Sequence, residues 1–232
     1  YYRNMNVSII IPTLNEAENI GRLLDFFAVN AAPPVLEVLI VDGGSSDNTV
    51  AIAQAKGAKT LHCSIRSRAA QMNMGAKFAK GEVLYFVHAD TLPPPSFAED
   101  ILAALKDGFC MGCFRYRFDS PSWLLKCNAW FTRFNALACQ GGDKTFFILA
   151  SVFAELGGYD EQYVVMEEYD FIRRARKKYL TPTLPKNALV SARKYQNNAY
   201  FKVQFANLLV FNLFRLGFPP VRLKKIYKQI LN

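Results

Sequence analysis

The chain has 232 residues, 51% of them hydrophobic, enough for one substantial core. Its five scattered cysteines are an odd number, which argues against a disulfide framework and for a reducing compartment. The formal charge of +9 is lopsided: residues 171–232 carry 14 Lys and Arg and no Asp or Glu, which points that quarter toward an anionic partner.

In chain order, Val7–Pro12 reads as a strand, too short for the apolar region of a signal peptide. Glu16–Val29 follows as a helix with apolar spacing at Ile20, Leu23, Leu24 and Phe27. Glu37–Asp42 is a second strand that ends on a carboxylate before Gly43-Gly44, and Ser46-Asp47-Asn48 caps a helix to about Lys56. Lys59–Cys63 reads as a strand, Ser67–Lys80 as a helix and Glu82–His88 as a fourth strand. The exit of that strand, His88-Ala89-Asp90, delivers a second carboxylate. Near-continuous apolar strands separated by helices specify a mostly parallel sheet covered on both faces. Ligands of such sheets bind beyond the carboxyl ends of the strands, where Asp42 and Asp90 fall.

After the Pro93-Pro94-Pro95 breaker, Phe97–Lys106 reads as a helix and Cys110–Phe118 alternates like a half-exposed strand. Cys110 and Cys113 are therefore strand residues here, with no second Cys pair or nearby His to complete a zinc site. Trp123–Ala138 reads as an amphipathic helix, Thr145–Ile148 as a strand and Glu167–Lys178 as a helix, acidic at its start and basic at its end. In the tail, Val203–Phe214 is apolar except for three residues, but falls short of the roughly 20 residues needed to span a bilayer. Gln204, Asn207, Asn212 and Arg215 share one side of that helix, leaving a broad apolar face for a membrane interface, the domain core or another subunit. The chain thus divides into an α/β domain over residues 1–197 and a basic, apolar helical tail over 198–232.

No glycine-rich turn follows the first strand, where "PTLNEAENI" has none before Gly21, and no GxxxxGK[ST] loop occurs. Dinucleotide and P-loop sites are thereby disfavoured. Instead "SIIIPTLNEAENI", "VLIVDGGSSDNT", "RAAQMNMGAKFAKGEVLYFVHADT", "GGDKTFF", "ELGGYDE" and "MEEYDFIRRAR" resemble, in order, the motifs of family 2 glycosyltransferases. These are inverting nucleotide-sugar enzymes of the GT-A fold, a Rossmann-like α/β architecture, and the His-Ala-Asp ending resembles a bacterial transferase-2-like subgroup. The resemblance covers roughly residues 7 to 195.

It implies a nucleotide-sugar site built from Pro12, Thr13, Asn15, Glu16, Asp42, Arg68, Gln71, Ala89 and Asp90, with Asp42 on the base and Arg68 by the diphosphate or ribose. Asp47 has a capping duty in the residue pattern and is only a second choice. Asp90 is the expected anchor of a divalent Mn²⁺ or Mg²⁺. The family pattern is Asp-x-Asp, and His88 stands at its first position, either as a ligand or as a buried, hydrogen-bonded histidine. On the acceptor side Glu168 falls where the family has its catalytic Asp, beside Glu167, with Asp143 a further candidate.

The expectation is a metal-dependent inverting transferase moving a sugar from a nucleotide diphosphate, UDP foremost, to an unknown, lipid-linked or membrane-proximal acceptor. It would be cytoplasmic, at the inner face of the membrane, with peripheral membrane or oligomer contacts through the tail. A nucleotidyltransferase and a non-catalytic nucleotide-sugar-binding or membrane-associated protein are the alternatives. A nucleic-acid partner is not expected, because acidic strand ends repel phosphates without a metal.

Overall fold

A computed structural model describes residues 5–31, 34–140, 142–196 and 198–231. Gly141 of the Gly-Gly-Asp motif and Asn197 at the expected domain boundary lie outside the described residues. The elements are β1 (Val7–Thr13), α1 (Ala17–Asn30), β2 (Val35–Asp42), α2 (Thr49–Ala55), β3 (Lys59–His62), α3 (Arg68–Phe78), β4 (Val83–Phe86), β5 (Thr91–Leu92), α4 (Phe97–Lys106), β6 (Met111–Phe118), α5 (Trp123–Phe131), β7 (Phe146–Leu149), α6 (Ala150–Glu155), α7 (Glu167–Ala175), β8 (Thr183–Val190), α8 (Arg193–Gln196), α9 (Tyr200–Arg215) and α10 (Pro220–Leu231).

One eight-stranded sheet has the order β3-β2-β1-β4-β7-β6-β8-β5. β1 to β4 run parallel, β7 is antiparallel to both β4 and β6, β8 is parallel to β6, and the short β5 is antiparallel to β8. This is the mostly parallel α/β sheet expected from the apolar strands. Every residue of β1 is buried, because helices cover both faces. Ile9 and Ile11 pack with Leu23, Phe27, Tyr85 and Phe97 on one face, and Ile10 packs with Val41, Met72 and Phe86 on the other. Burying a side chain of this size contributes roughly 1.5–3 kcal/mol, so the continuous apolar run of β1 anchors both layers. Gly75 lets α3 lie tight on the sheet, since a Cβ there would collide with Ile10 Cγ2.

The second half departs from the sequence reading at α5 and at β8. The helix expected over Trp123–Ala138 ends at Phe131. There the Thr132 hydroxyl donates back to Ala129 O at 2.7 Å, and the buried Lys144 ammonium donates to Thr132 O at 2.8 Å. A cation on the last carbonyls suits the negative end of a helix and fixes its stop.

β8 has no counterpart in the sequence reading, because Pro185 interrupts it. The ladder with β6 absorbs the proline by a register shift, from Phe114 opposite Leu184 to Arg115 opposite Asn187. An irregular ladder is where a strand tolerates proline.

The tail packs on the body, the domain-core placement that the sequence left open beside the others. Val210, Phe214 and Leu223 form a core cluster against which Tyr163, Val165, Met166 and Tyr169 pack.

Candidate active site

Two turns at the carboxyl edge of the sheet interlock. Asn15, held in the left-handed region at φ 55°, donates its N–H to Ser45 Oγ, and its Oδ1 accepts from Ser46 N. Pro12 and Thr13 are buried at the end of β1. The Asp42 carboxylate accepts from Gly44 N at 2.8 Å, Ser45 N at 2.9 Å and the Ser45 hydroxyl. Its own turn thus engages both oxygens, leaving one lone pair on Oδ1 for a further donor. Asp47 ties the starts of α1 and α2 together, accepting from Ala17 N and Thr49 N. Gln71 spends its amide hydrogens on Thr13 O and Val41 O, each at 2.7 Å, clamping β1 to β2.

β4 is shorter than expected and stops at Phe86, so His88, Ala89 and Asp90 lie on the connection to β5, closed by Thr91 N donating to His88 O. Ala89 is buried and Asp90 half-buried. Asp90 Oδ2 lies 3.6 Å from Arg193 Nη2, and the same guanidinium pairs with Glu16 Oε1. Arg193 is a residue that the sequence reading missed. It follows β8, and no pattern around "SARKYQ" connects it to the first turn.

The acceptor-side residues line a cavity of about 250 Å³, walled by Arg68, Asp143, Glu167, Glu168, Tyr195 and Gln204 among others. Met166, in the left-handed region at φ 71°, starts α7 and swings its first turn inward. Asp170 on that turn serves the helix itself, bonded to Arg173 and Arg174. Glu167 is buried, with Arg68 Nε at 3.6 Å. Burial pushes the Glu167 carboxyl up against the opposing pull of Arg68, and burial likewise raises Asp143. Glu168 has a different environment. His88 Nε2 contacts its Oε1 at 3.0 Å, and Gly142 N donates to its Oε2 at 2.7 Å. An ionised carboxylate only accepts, so His88 Nε2 carries the proton. Burial opposes the charge of both partners, yet their hydrogen bond prevails: His88 is raised and Glu168 lowered.

The raised His88 stabilises the fold fully below the ordinary 6.5 and loses that contribution as pH rises through its folded value. The lowered Glu168 contributes above the ordinary 4.5 and loses it as pH falls through its folded value. Histidine NMR titration of the metal-free protein is expected to place His88 above 6.5, and Glu168→Gln should bring it down. A midpoint unmoved by Glu168→Gln would show that the pair is not formed in solution.

A divalent cation would have Asp90 as its carboxylate. Among the described residues no group of three or more His, Cys, Asp and Glu side chains could hold a metal ion alone. His88 has one nitrogen committed to Glu168. A single carboxylate fits a cation that takes its other oxygens from phosphates and water, as Mg²⁺ sites commonly do.

The family model described as "Glycosyl transferase family 2" matches residues 8–153. Glucosyl-3-phosphoglycerate synthase of Mycolicibacterium smegmatis is 31% identical over 112 residues, 43% of this chain and 36% of that protein. The match thus spans about a third of that relative's length. Mannosyltransferase PcManGT from Pyrobaculum calidifontis, solved with GDP-Man and Mn²⁺, superposes with a TM-score of 0.70 at 20% identity, covering 98% of this chain and 68% of that one. S. aureus TarS 1-349 with UDP-GlcNAc gives 0.67 at 18% identity, covering 98% and 72%. These structural likenesses establish a common fold.

Proposed function

Because the chain belongs to glycosyl transferase family 2, we propose that it transfers a sugar from a nucleotide diphosphate, with inversion, to an acceptor hydroxyl held in the 250 Å³ cavity. One observation carries this reading: a single hydrogen bond, His88 to Glu168, joins the strand exit bearing Asp90 to the carboxylates of the cavity. Donor and acceptor would thus meet across one contact. The bound ligands of the two structural neighbours support a nucleotide-sugar donor and a role for Mn²⁺.

Asp42 would receive a base N–H, Asn15 and Glu16 would border the nucleotide, and Asp90 would hold the cation. When bound, that cation offsets the charge building on the departing diphosphate. Glu168 would take the acceptor hydroxyl proton as the oxygen attacks the anomeric carbon and the bond to the diphosphate breaks. Each Glu168 oxygen accepts one hydrogen bond and keeps a second lone pair. Arg68, beside Glu167, is near enough to the same cavity to steady the diphosphate. In this scheme residues 1–197 supply the donor and catalytic groups, and the tail supplies Gln204, Asn207 and Tyr227 to the acceptor wall. The acceptor would be lipid-linked or membrane-proximal.

The test is a thermal-shift screen of nucleotide sugars with and without Mn²⁺. A ligand that binds only the folded chain at 100 times its Kd adds about 2.7 kcal/mol to stability. UDP-sugars are expected to raise Tm more with Mn²⁺ than without. If no nucleotide sugar shifts Tm under either condition, the reading fails.

A further inference from the structure

We infer that the outward face of α9, flanked by its basic side chains, docks this chain on an anionic lipid bilayer. The helix buries Val203, Ala206, Val210 and Phe214, with Gln204 and Asn207 half-buried at the flank of that stripe. Its polar residues Gln204 and Asn207 turn inward, bonding Tyr195 OH at 3.1 Å and Tyr227 OH at 3.2 Å beside the cavity. Toward solvent it presents Phe201 at 73% exposure, Phe205 at 58% and Leu208 at 63%. These positions, four and three residues apart, fall on one stripe of the helix. Exposed Asn212 continues that stripe, its amide donating back to Leu208 O at 2.8 Å, so the outward side is apolar over Phe201–Leu208 and polar toward Arg215.

Charge selects the occupant. Lys202 and Arg215 are exposed on the same helix, and α10 adds exposed Arg222, Lys225 and Lys228. Residues 171–232 contain no carboxylate side chain to offset them. A second copy would bring like charges face to face, whereas anionic headgroups accept both the cations and the aromatic stripe. No helix is long and apolar enough to cross a membrane among the described residues, so the contact lies in the interface plane. The exposed Trp130, Phe131 and Phe134 extend the arrangement: their rings cluster on one another, Arg133 stacks on Trp130, and Phe131 lines the same cavity as Gln204 and Asn207. Docking would bring the cavity close to the lipid surface. This adds a location to the transfer reading and stands without it.

The experiment is co-sedimentation of the full chain with phosphatidylcholine vesicles, with and without phosphatidylglycerol, at low and high salt. Binding is expected only with phosphatidylglycerol and should weaken as salt screens it. Phe201→Ser/Phe205→Ser/Leu208→Ser should reduce partitioning at least roughly tenfold, the scale of burying one such side chain. Lys202→Gln and Arg215→Gln should each reduce it roughly fivefold. A cooperative thermal unfolding transition close to that of the wild type would show these variants folded. No binding at low salt, equal binding to neutral vesicles, or full binding by the triple variant would each overturn the proposal. So would a wild-type dimer that the triple variant converts to monomer, since the face would then be a self-association surface.

Discussion

Glu168→Gln is expected to lower transfer turnover by about 10²–10⁴-fold while donor affinity barely changes. A sugar hydroxyl is a poor nucleophile at neutral pH unless its proton leaves during attack, and Gln cannot accept it. Geometry makes Glu168 the carboxylate that is both on the cavity and fixed in direction, by His88 on one oxygen and Gly142 N on the other. The same two bonds hold it ionised, below the ordinary carboxylate range, so it is always ready but is a weak base. Asp143 has the opposite character, since burial raises its proton affinity on the same cavity. Steady-state kinetics of Glu168→Gln, Glu167→Gln and Asp143→Asn therefore separate the candidates. Full activity in Glu168→Gln with loss in either of the others moves the base to that residue. Glu168→Asp, which restores the family's usual residue, shortens the reach by one methylene and tests how tightly the two bonds set position.

Asp90→Asn is expected to abolish Mn²⁺-dependent binding of a nucleoside diphosphate in a protein that stays folded. The amide keeps the shape but removes the charge, and no cluster of three other His, Cys, Asp or Glu side chains among the described residues could replace it. Asp90 is half-buried and faces Arg193 rather than the core, so the fold should tolerate the change. Calorimetry with UDP, with Mn²⁺ and with chelator, gives the readout. Metal-dependent affinity equal to wild type would remove Asp90 from the cation site.

The first half of the fold was legible because its signals are local. An apolar run buried on both faces, such as Ile9-Ile10-Ile11, announces a strand, and the exits of two further runs, β2 and β4, carry Asp42 and Asp90. What was not legible depends on partners distant in sequence. Lys144 ends α5 from 12 residues beyond Thr132, and Pro185 is acceptable only because β8 bulges there, leaving Pro185 and Lys186 without partners on β6. Gln204, Asn207, Asn212 and Arg215 were legible as one side of α9, but the structure splits them: Gln204 and Asn207 bond Tyr195 and Tyr227, whereas Asn212 and Arg215 are exposed. The same holds at the site. The carboxylates of α7 stand out as a cluster, yet their distinct protonation tendencies come from His88, Arg68 and the Gly142 N–H. Gln71 drew notice as a ligand contact, but its amide is a clamp between strands.

The salt bridge of Arg193 with Glu16 spans 177 residues of chain. β8, immediately before Arg193, pairs with β6 and with β5 just past Asp90. Closing loops of that length is the slow part of folding for such topologies. On a ribosome, the four parallel strands could assemble while the rest of the chain was still being made, but the groups around Asp90 would stay incomplete until β8 and Arg193 had emerged. A nascent chain of this protein would therefore have a sheet well before the surroundings of Asp90 were complete.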